Sequence, residues 1–326
     1  MTTTTKFRVA THNDKDYVLD LCKNTFSWGD YIDRVWDIWI REPNSIFLVA
    51  VNENNTDKPI AIAHGILISK QMIWIEGIRV DPKYRSKKLA TNMYLYILDY
   101  ARKKGALYSS AIVSINNDAS KGLMDKLGFK MISKWTYISI KPIVLPELGN
   151  NAIADKSKVA KLTEYRQIIN FLNQPDIFKL SRKKFVNSWR WHDLTEDSLK
   201  KMINNKQVII IDNNYNKNKD KDDDDDKKGN KIRGIAIIDK DGYWNNPNIF
   251  QIIYIHADSD EMLFSLVNKC LKLISSKENK NGKKFFKDKY ERVQIFSPFP
   301  IKDNSLLFQK FNINFSEQFL LYHKEI

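Results

Sequence analysis

Only two cysteines, Cys22 and Cys270, occur in 326 residues, and they lie far apart. This excludes a disulfide framework and a cysteine-rich zinc pattern, and it makes a reducing compartment the default. No apolar run approaches the ~20 residues needed to span a bilayer. The opening stretch, MTTTTKFRVATHND, lacks the apolar segment of a signal peptide. A cytoplasmic protein without a membrane role is therefore expected. The five histidines, His12, His64, His192, His256 and His323, are scattered with no pair at metal-ligand spacing, so no metal site is expected. A concentrated patch of positive charge is also missing. The net charge is +14, yet Lys and Arg outnumber Asp and Glu by 21 to 14 in residues 1–145 and by 32 to 25 in residues 146–326. An excess of seven in each half is a Lys-rich surface, not the footprint of a nucleic-acid site.

Hydrophobic residues make up 43% of the chain and aromatic residues 12%, enough for the cores of two domains. In the first half, strand patterns (FRVATHND, SIFLVAV, IAIAHGILIS, QMIWIEGIRV, YSSAIVSI, WTYISIK) alternate with helical ones. DYIDRVWDIWIRE places Ile32, Val35, Trp36 and Trp39 at helical spacing, and DASKGLMDKLGF ends at Gly128, a common helix stop. The order βααβββαβαβ is that of a layered α/β domain. The second half repeats much of it without residue identity: QVIIIDNNYNKN and KIRGIAIIDK, FQIIYIHAD, DEMLFSLVNKCLKLIS, YERVQIFSP, NSLLFQKFNIN and QFLLYHK. An added piece precedes this copy. It reads as helical through SRKKFVNSWRWHDLTEDSLKKMINNK, with Thr195 as a helix cap. We expect a boundary near residue 145, giving domains 1–145 and 146–326. The loop near residues 213–231 reads as disordered, because its acidic stretch NKNKDKDDDDDKKGN carries no apolar residue to bury; the acid run lacks the spaced ligands and the central glycine of a calcium loop.

One stretch runs against the usual electrostatics of helices. Four basic residues stand between Lys83 and Lys88, at the start of a long amphipathic helix, and no carboxylate falls between Asp81 and Asp99. Helix starts normally attract acidic residues, because the macrodipole is positive there. A strand, a tight loop and a helix start form an anion cradle, since the first N–H groups of the helix have no intrahelical partner.

Arg85-Ser86-Lys87-Lys88-Leu89-Ala90, following RVDPKY, resembles the fingerprint of the GNAT superfamily of acetyl-CoA-dependent N-acetyltransferases. So does NDASKGLMDKLGF, with Asn117, Gly128 and Phe129, and the likeness covers residues 7–140 in order. DYIDRVWDIWIREPNSIFLVAV and WIEGIRVDPKYR further resemble the histidine N-acetyltransferase group, whose members carry an extra C-terminal region. The resemblance implies a GNAT-like mixed sheet flanked by helices, followed by a degenerate second copy. It implies acetyl-CoA as co-substrate, held by Ile78, Arg79, Val80, Arg85, Ser86, Lys87, Lys88, Leu89, Ala90 and Asn117. It also implies a base or amine-orienting role for Glu76.

Two departures stand out. Lys88 and Ser86 occupy positions where the family favours glycine, and Met124 replaces a tyrosine that protonates the leaving thiolate in many members. Tyr94, Tyr108 and Tyr137 are the candidate substitutes.

Glu76 is also notable on its own, as a carboxylate inside an apolar strand with Trp74, Ile78 and Val80 expected on its face. Pairing with Arg79 or another cation is the structural alternative. An α-amine with a pKa near ~8 is roughly one-tenth neutral at pH 7, so a modest base suffices, whereas a lysine amine needs a stronger one. The expected reaction is acetyl transfer to the α-amine of a small-molecule acceptor, an amino acid such as histidine, with Tyr31, Asp33 and Trp36 lining the acceptor site. The alternatives are a protein or peptide acetyltransferase and a non-catalytic acyl-CoA-binding protein. The second copy carries ADSDE where the first carries its basic loop, so one active site per chain is expected.

Overall fold

The computed structural model describes residues 5–26, 29–53, 55–141, 157–213, 231–239, 248–274 and 290–326. The chain divides into two compact units. One comprises residues 1–132 and 321–326, and the other residues 133–320. The division falls before the expected boundary at 145, because the strand that starts at Lys130 belongs for most of its length to the second unit. The acidic run expected to be disordered lies outside the described residues apart from its ends. There the Asn213 N–H donates to the Lys231 carbonyl at 3.0 Å.

The first unit contains β1 (Thr5–Val9), α1 (Lys15–Cys22), α2 (Ile32–Trp39), β2 (Ser45–Asn52), β3 (Asn55–Leu67), β4 (Met72–Val80), α3 (Leu89–Lys103), β5 (Tyr108–Ser114) and α4 (Asp118–Lys126). β1 to β4 form an antiparallel meander in chain order. β5 joins β4 in parallel, as a crossover through α3 requires. The helical spacing read in α2 holds: Ile32, Val35, Trp36 and Trp39 are all buried. On α3 the buried face is Leu89, Met93, Tyr94, Ile97, Leu98 and Ala101. Leu321–Ile326 serve this unit through β5 and α4. Ser110 Oγ lies 2.9 Å from His323 Nδ1, the Ile326 N–H donates to the Leu107 carbonyl at 2.9 Å, and Lys324 Nζ donates to the Leu127 carbonyl at 2.5 Å.

The second unit runs from β6 (Lys130–Ile140) through β7 (Lys158–Val159), α5 (Tyr165–Leu172), α6 (Pro175–Ser181), β8 (Lys184–Asn187), β9 (Arg190–Asp193) and α7 (Glu196–Asn204). It continues with β10 (Val208–Asp212), β11 (Ile232–Asp239), β12 (Ile249–Ala257), α8 (Asp260–Ile274), β13 (Arg292–Ser297), α9 (Leu306–Lys310) and β14 (Ile313–Glu325). β10, β11 and β12 are antiparallel neighbours, and β13 joins β12 in parallel after α8, repeating the order of the first unit. Thr195 caps α7, accepting from the Ser198 N–H at 3.2 Å.

One expectation is corrected in the added piece. Residues 184–193 form a two-stranded hairpin instead of a helix. Its turn residues, Ser188 (φ 48°) and Trp189 (φ 63°), both adopt left-handed backbone, as a tight two-residue turn requires. A bulky residue there is costly. Trp189 is held by aromatic packing on Tyr137, Phe296 and Phe319, with ring centroids 4.8, 5.3 and 5.1 Å away.

Candidate active site

β4 carries the decisive irregularity. Ile62 of β3 faces Arg79 and His64 faces Glu76, so Gly77 and Ile78 together oppose the single residue Ala63. This is a β-bulge, with Gly77 at φ 66°. Trp39 closes over it: a Cβ at residue 77 would sit 2.4 Å from the indole ring. The bulge shifts the alternation of side chains by one. Arg79, and not Val80 as the regular pattern predicts, therefore comes to the side of Glu76, where both charges act on the Tyr31 hydroxyl.

The Glu76 carboxylate is nearly buried, 8% exposed, and both oxygens are engaged. Trp74 Nε1 donates to Oε2 at 3.1 Å, and His64 Nδ1 lies 3.0 Å from Oε1. Glu76 is therefore paired with His64 and Trp74. Arg79 is bound to Asp30 through Nε and Nη2, at 2.7 and 3.1 Å, and its guanidinium lies over the rings of Phe26 and Tyr31. Burial alone would lower the affinity of Arg79 for its proton, but Tyr31 and Asp30 more than compensate and it stays charged. Burial pushes the Tyr31 phenol up to about 12, with Glu76 and Asp30 adding to the rise and Arg79 opposing it. Burial likewise pushes the Cys22 thiol up to about 12, with Asp30 adding to the rise and Arg79 opposing it.

Beyond Trp74 the strands open. β4 and β5 pair only from Met72 opposite Tyr108 to Trp74 opposite Ser110. Residues 75–80 of one strand and 111–114 of the other lie past that pairing. Pro82–Tyr84 then make one tight turn, with the Asp81 carboxylate accepting from the Lys83 N–H at 2.9 Å. Ser86 and Lys88 both adopt left-handed backbone, at φ 63° and 61°. This is the conformation for which glycine is normally used, at a cost of about 1–2 kcal/mol for other residues. The backbone path of a glycine loop is thus kept, and the Lys88 side chain is exposed, as are Arg85, Ser86 and Lys87. Lys87 Nζ stands 4.9 Å from the centre of the Tyr84 ring. Leu89 is buried and Ala90 half-buried, so their amides open the helix while their side chains anchor it.

The other expected residues divide. Asn117 caps α4, accepting from the Ser120 N–H at 3.0 Å. Tyr31 lies beside the carboxylate site. Asp33 and Trp36 do not join it: Asp33 is exposed on the outer side of α2, and Trp36 is wholly buried against Phe47, with ring centroids 5.0 Å apart. One helical turn further on, Trp39 does reach the site, stacked on His64 at 4.5 Å and edge-on to Tyr31 at 6.1 Å. Of the three candidate tyrosines, Tyr94 donates from its hydroxyl to Met124 Sδ at 3.6 Å, and its burial holds the phenol protonated. Tyr108 stacks on His323, and Tyr137 packs in the second unit.

In the second unit the corresponding opening is filled by its own groups. Ser297 Oγ donates to the Ile255 carbonyl at 3.1 Å, and Phe299 stacks on His256 at 3.7 Å. At the start of α8 the Asp260 carboxylate accepts from the Leu306 N–H at 2.6 Å. A phosphate would meet negative charge there.

Residues 15–129 match the family model of the acetyltransferase (GNAT) family. The match falls within the first unit and covers about a third of the chain. Among solved structures, a GCN5-related N-acetyltransferase from Sphaerobacter thermophilus is similar over 98% of this chain and 95% of its own, at 9% identity and a TM-score of 0.55. A candidate acetyltransferase from Thermoplasma acidophilum is similar over 98% of this chain and 100% of its own, at 12% identity and a TM-score of 0.50. These likenesses show the fold, and they extend over both units. No curated protein matches in sequence. Among the described residues there is no group of three or more His, Cys, Asp or Glu that could hold a metal, and no helix long and apolar enough to cross a membrane.

Proposed function

We propose that this GNAT acetyltransferase transfers the acetyl group of acetyl-CoA to the α-amine of a small molecule, and that a free amino acid such as histidine is the acceptor. The observation that carries the reading is Glu76: a nearly buried carboxylate with both oxygens held, beside Tyr31, just upstream of a basic helix start.

The residues fit acetyl-CoA. Left-handed Ser86 and Lys88 turn the loop so that the first amides of α3 stand unpaired, and Arg85, Lys87 and Lys88 add three exposed positive charges for phosphate. Past Trp74 the edge of β4, at Ile78, Arg79 and Val80, is unpaired with β5 and open to an extended amide-bearing arm, with the Ile78 and Val80 carbonyls each accepting one bond, from Arg79 Nη1 and Arg85 Nε respectively, and keeping a second lone pair. Arg79 contributes there through its backbone, since its guanidinium is committed to Asp30. When bound, the co-substrate supplies an acetyl carbon activated as a thioester.

Glu76 takes the proton that the amine loses as its nitrogen–carbon bond forms, while the carbon–sulfur bond breaks. The departing thiol has a pKa near ~8.5, so its sulfur leaves with little help. The Tyr94 hydroxyl, 3.6 Å from Met124 Sδ, is a protonated group beside the position where other members carry a tyrosine. Tyr31 and Trp39 give the acceptor side an aromatic wall.

The reading is tested by offering acetyl-CoA with single free amino acids, L-histidine among them, and measuring released thiol. Turnover with a free α-amine is expected. Release only with lysine-containing peptides or protein N-termini would replace it with the peptide reading, and binding of acetyl-CoA without release in any mixture would make the domain a binding module.

A further inference from the structure

Glu76 does not stand alone, and what stands behind it has a chemistry of its own. His64 on β3 is fully buried. A buried imidazole is costly unless its polar atoms are engaged. Its Nδ1 lies 3.0 Å from Glu76 Oε1, and an ionised carboxylate can only accept, so the hydrogen of that contact belongs to the ring. On its far side, Nε2 stands 3.7 Å from Glu42 Oε2, at the end of α2. Trp39 covers one face of the ring at 4.5 Å with planes 4° apart, and Phe47 meets it edge-on at 5.7 Å. The ring is gripped between two carboxylates and two aromatic side chains.

We infer that His64 is a positioning residue for Glu76, held in place by Trp39 and Glu42. It fixes the plane of the carboxylate together with Trp74, and it stabilises the ionised form that must receive a proton. The inference rests on the reading of Glu76 as the base. Hydrogen bonds to the charged form of an acid favour that form, and the Glu42 charge favours a positive ring that donates more strongly.

The other charged and titratable groups around the pair do not compete for this role. Tyr31 and Cys22, both pushed up to about 12, are neutral near pH 7. Arg79 and Asp30 neutralise each other as an ion pair. A histidine that served packing alone would lower stability and rate without moving the pH at which Glu76 ionises.

The test uses the full chain with 13C-labelled glutamate, the Glu76 signal being assigned by its loss in Glu76→Gln. In His64→Phe the ring stack is kept and the donor removed. The ionisation midpoint of Glu76 is expected to rise by about one pH unit, tenfold in the acid constant. His64→Gln, whose amide can still donate, should recover part of the shift. Glu42→Gln, which keeps the size of the side chain and removes its charge, should give a smaller rise in the same direction. With L-histidine as acceptor, the acid limb of kcat should follow each midpoint, while KM for acetyl-CoA stays unchanged. A Glu76 midpoint that moves in none of these variants overturns the inference. A midpoint that moves while the acid limb of kcat stays put overturns it too, since the carboxylate tuned by His64 would then not be the base. Failure of the base reading alone is seen separately, as full turnover by Glu76→Gln at pH 7.

Discussion

Both oxygens of Glu76 accept from ring N–H groups, and Glu76→Gln is informative because its NH2 can replace one of them once His64 takes the tautomer in which Nδ1 accepts. The amide keeps the size of the side chain and can still accept from Trp74. Coenzyme affinity should therefore persist while kcat at pH 7 falls by about 10²–10⁴-fold, the usual range for loss of a general base. Raising the pH should recover much of the loss, because an α-amine near ~8 then deprotonates unaided. Steady-state rates from pH 6 to 9.5 decide it, and a loss that stays constant with pH would sink the prediction. Glu76 was legible because a lone carboxylate in an apolar strand is unusual whatever surrounds it. His64 was not, since one of five scattered histidines gains meaning only when the register of β3 on β4 sets it opposite residue 76. Asp33 and Trp36 were expected at the acceptor site from position alone. The phase of α2 turns one outward and buries the other, leaving Tyr31 and Trp39 near Glu76 and His64.

Elements position these residues through a few strict contacts. Gly77 is the strictest: its left-handed backbone and its approach to Trp39 leave no room for a methyl group. Gly77→Ala should destabilise the first unit by about 2–4 kcal/mol, from overpacking and backbone strain together, as read by urea unfolding. It should also disturb the Trp39–His64 stack, so activity should fall further than stability explains. An unchanged unfolding midpoint would show that the bulge relaxes freely. The bulge itself was not readable, because Gly77 in WIEGIRV also fits a regular strand. The basic loop was readable as a run of charges at a helix start, yet its left-handed Ser86 and Lys88 could not be seen in residues that seldom adopt that shape. The hairpin at 184–193 was missed for a related reason. Ser-Trp is a poor tight turn on local chemistry, and only distant aromatic packing stabilises it.

The two units also answer differently to acid. His256 is depressed to about 4 by burial, which the nearby Asp258 only partly opposes. A histidine whose folded pKa lies below its unfolded value of ~6.5 contributes stability that is complete above pH 6.5 and is lost as the pH falls toward 4. The second unit should therefore lose about 2 kcal/mol by pH 5. In the first unit, Asp14 is depressed even though burial would raise it, because bonds from Arg8 and Thr11 prevail. Its contribution is present above ~3.9 and is lost only below that pH. Hydrogen exchange followed by peptide should show the second unit loosening first between pH 6.5 and 4, and His256→Phe, which preserves the stack on Phe299, should abolish the difference. Loosening of both units together would refute it. The repeated order of elements was readable along the chain, but the assignment of Leu321–Ile326 to the first unit was not, since nothing local marks a strand for a distant partner. Removing those six residues takes away the His323, Lys324 and Ile326 contacts to Ser110, Leu127 and Leu107. It should lower the melting temperature of the first unit specifically. During synthesis the same arrangement imposes a delay. The first unit has most of its residues by Ile132, yet it must wait for Leu321 to leave the ribosome, about 10–40 s later at ~5–20 residues per second. For that interval the edge of β5 is open beside a nascent neighbour, and a chaperone that covers exposed strands would find its client there.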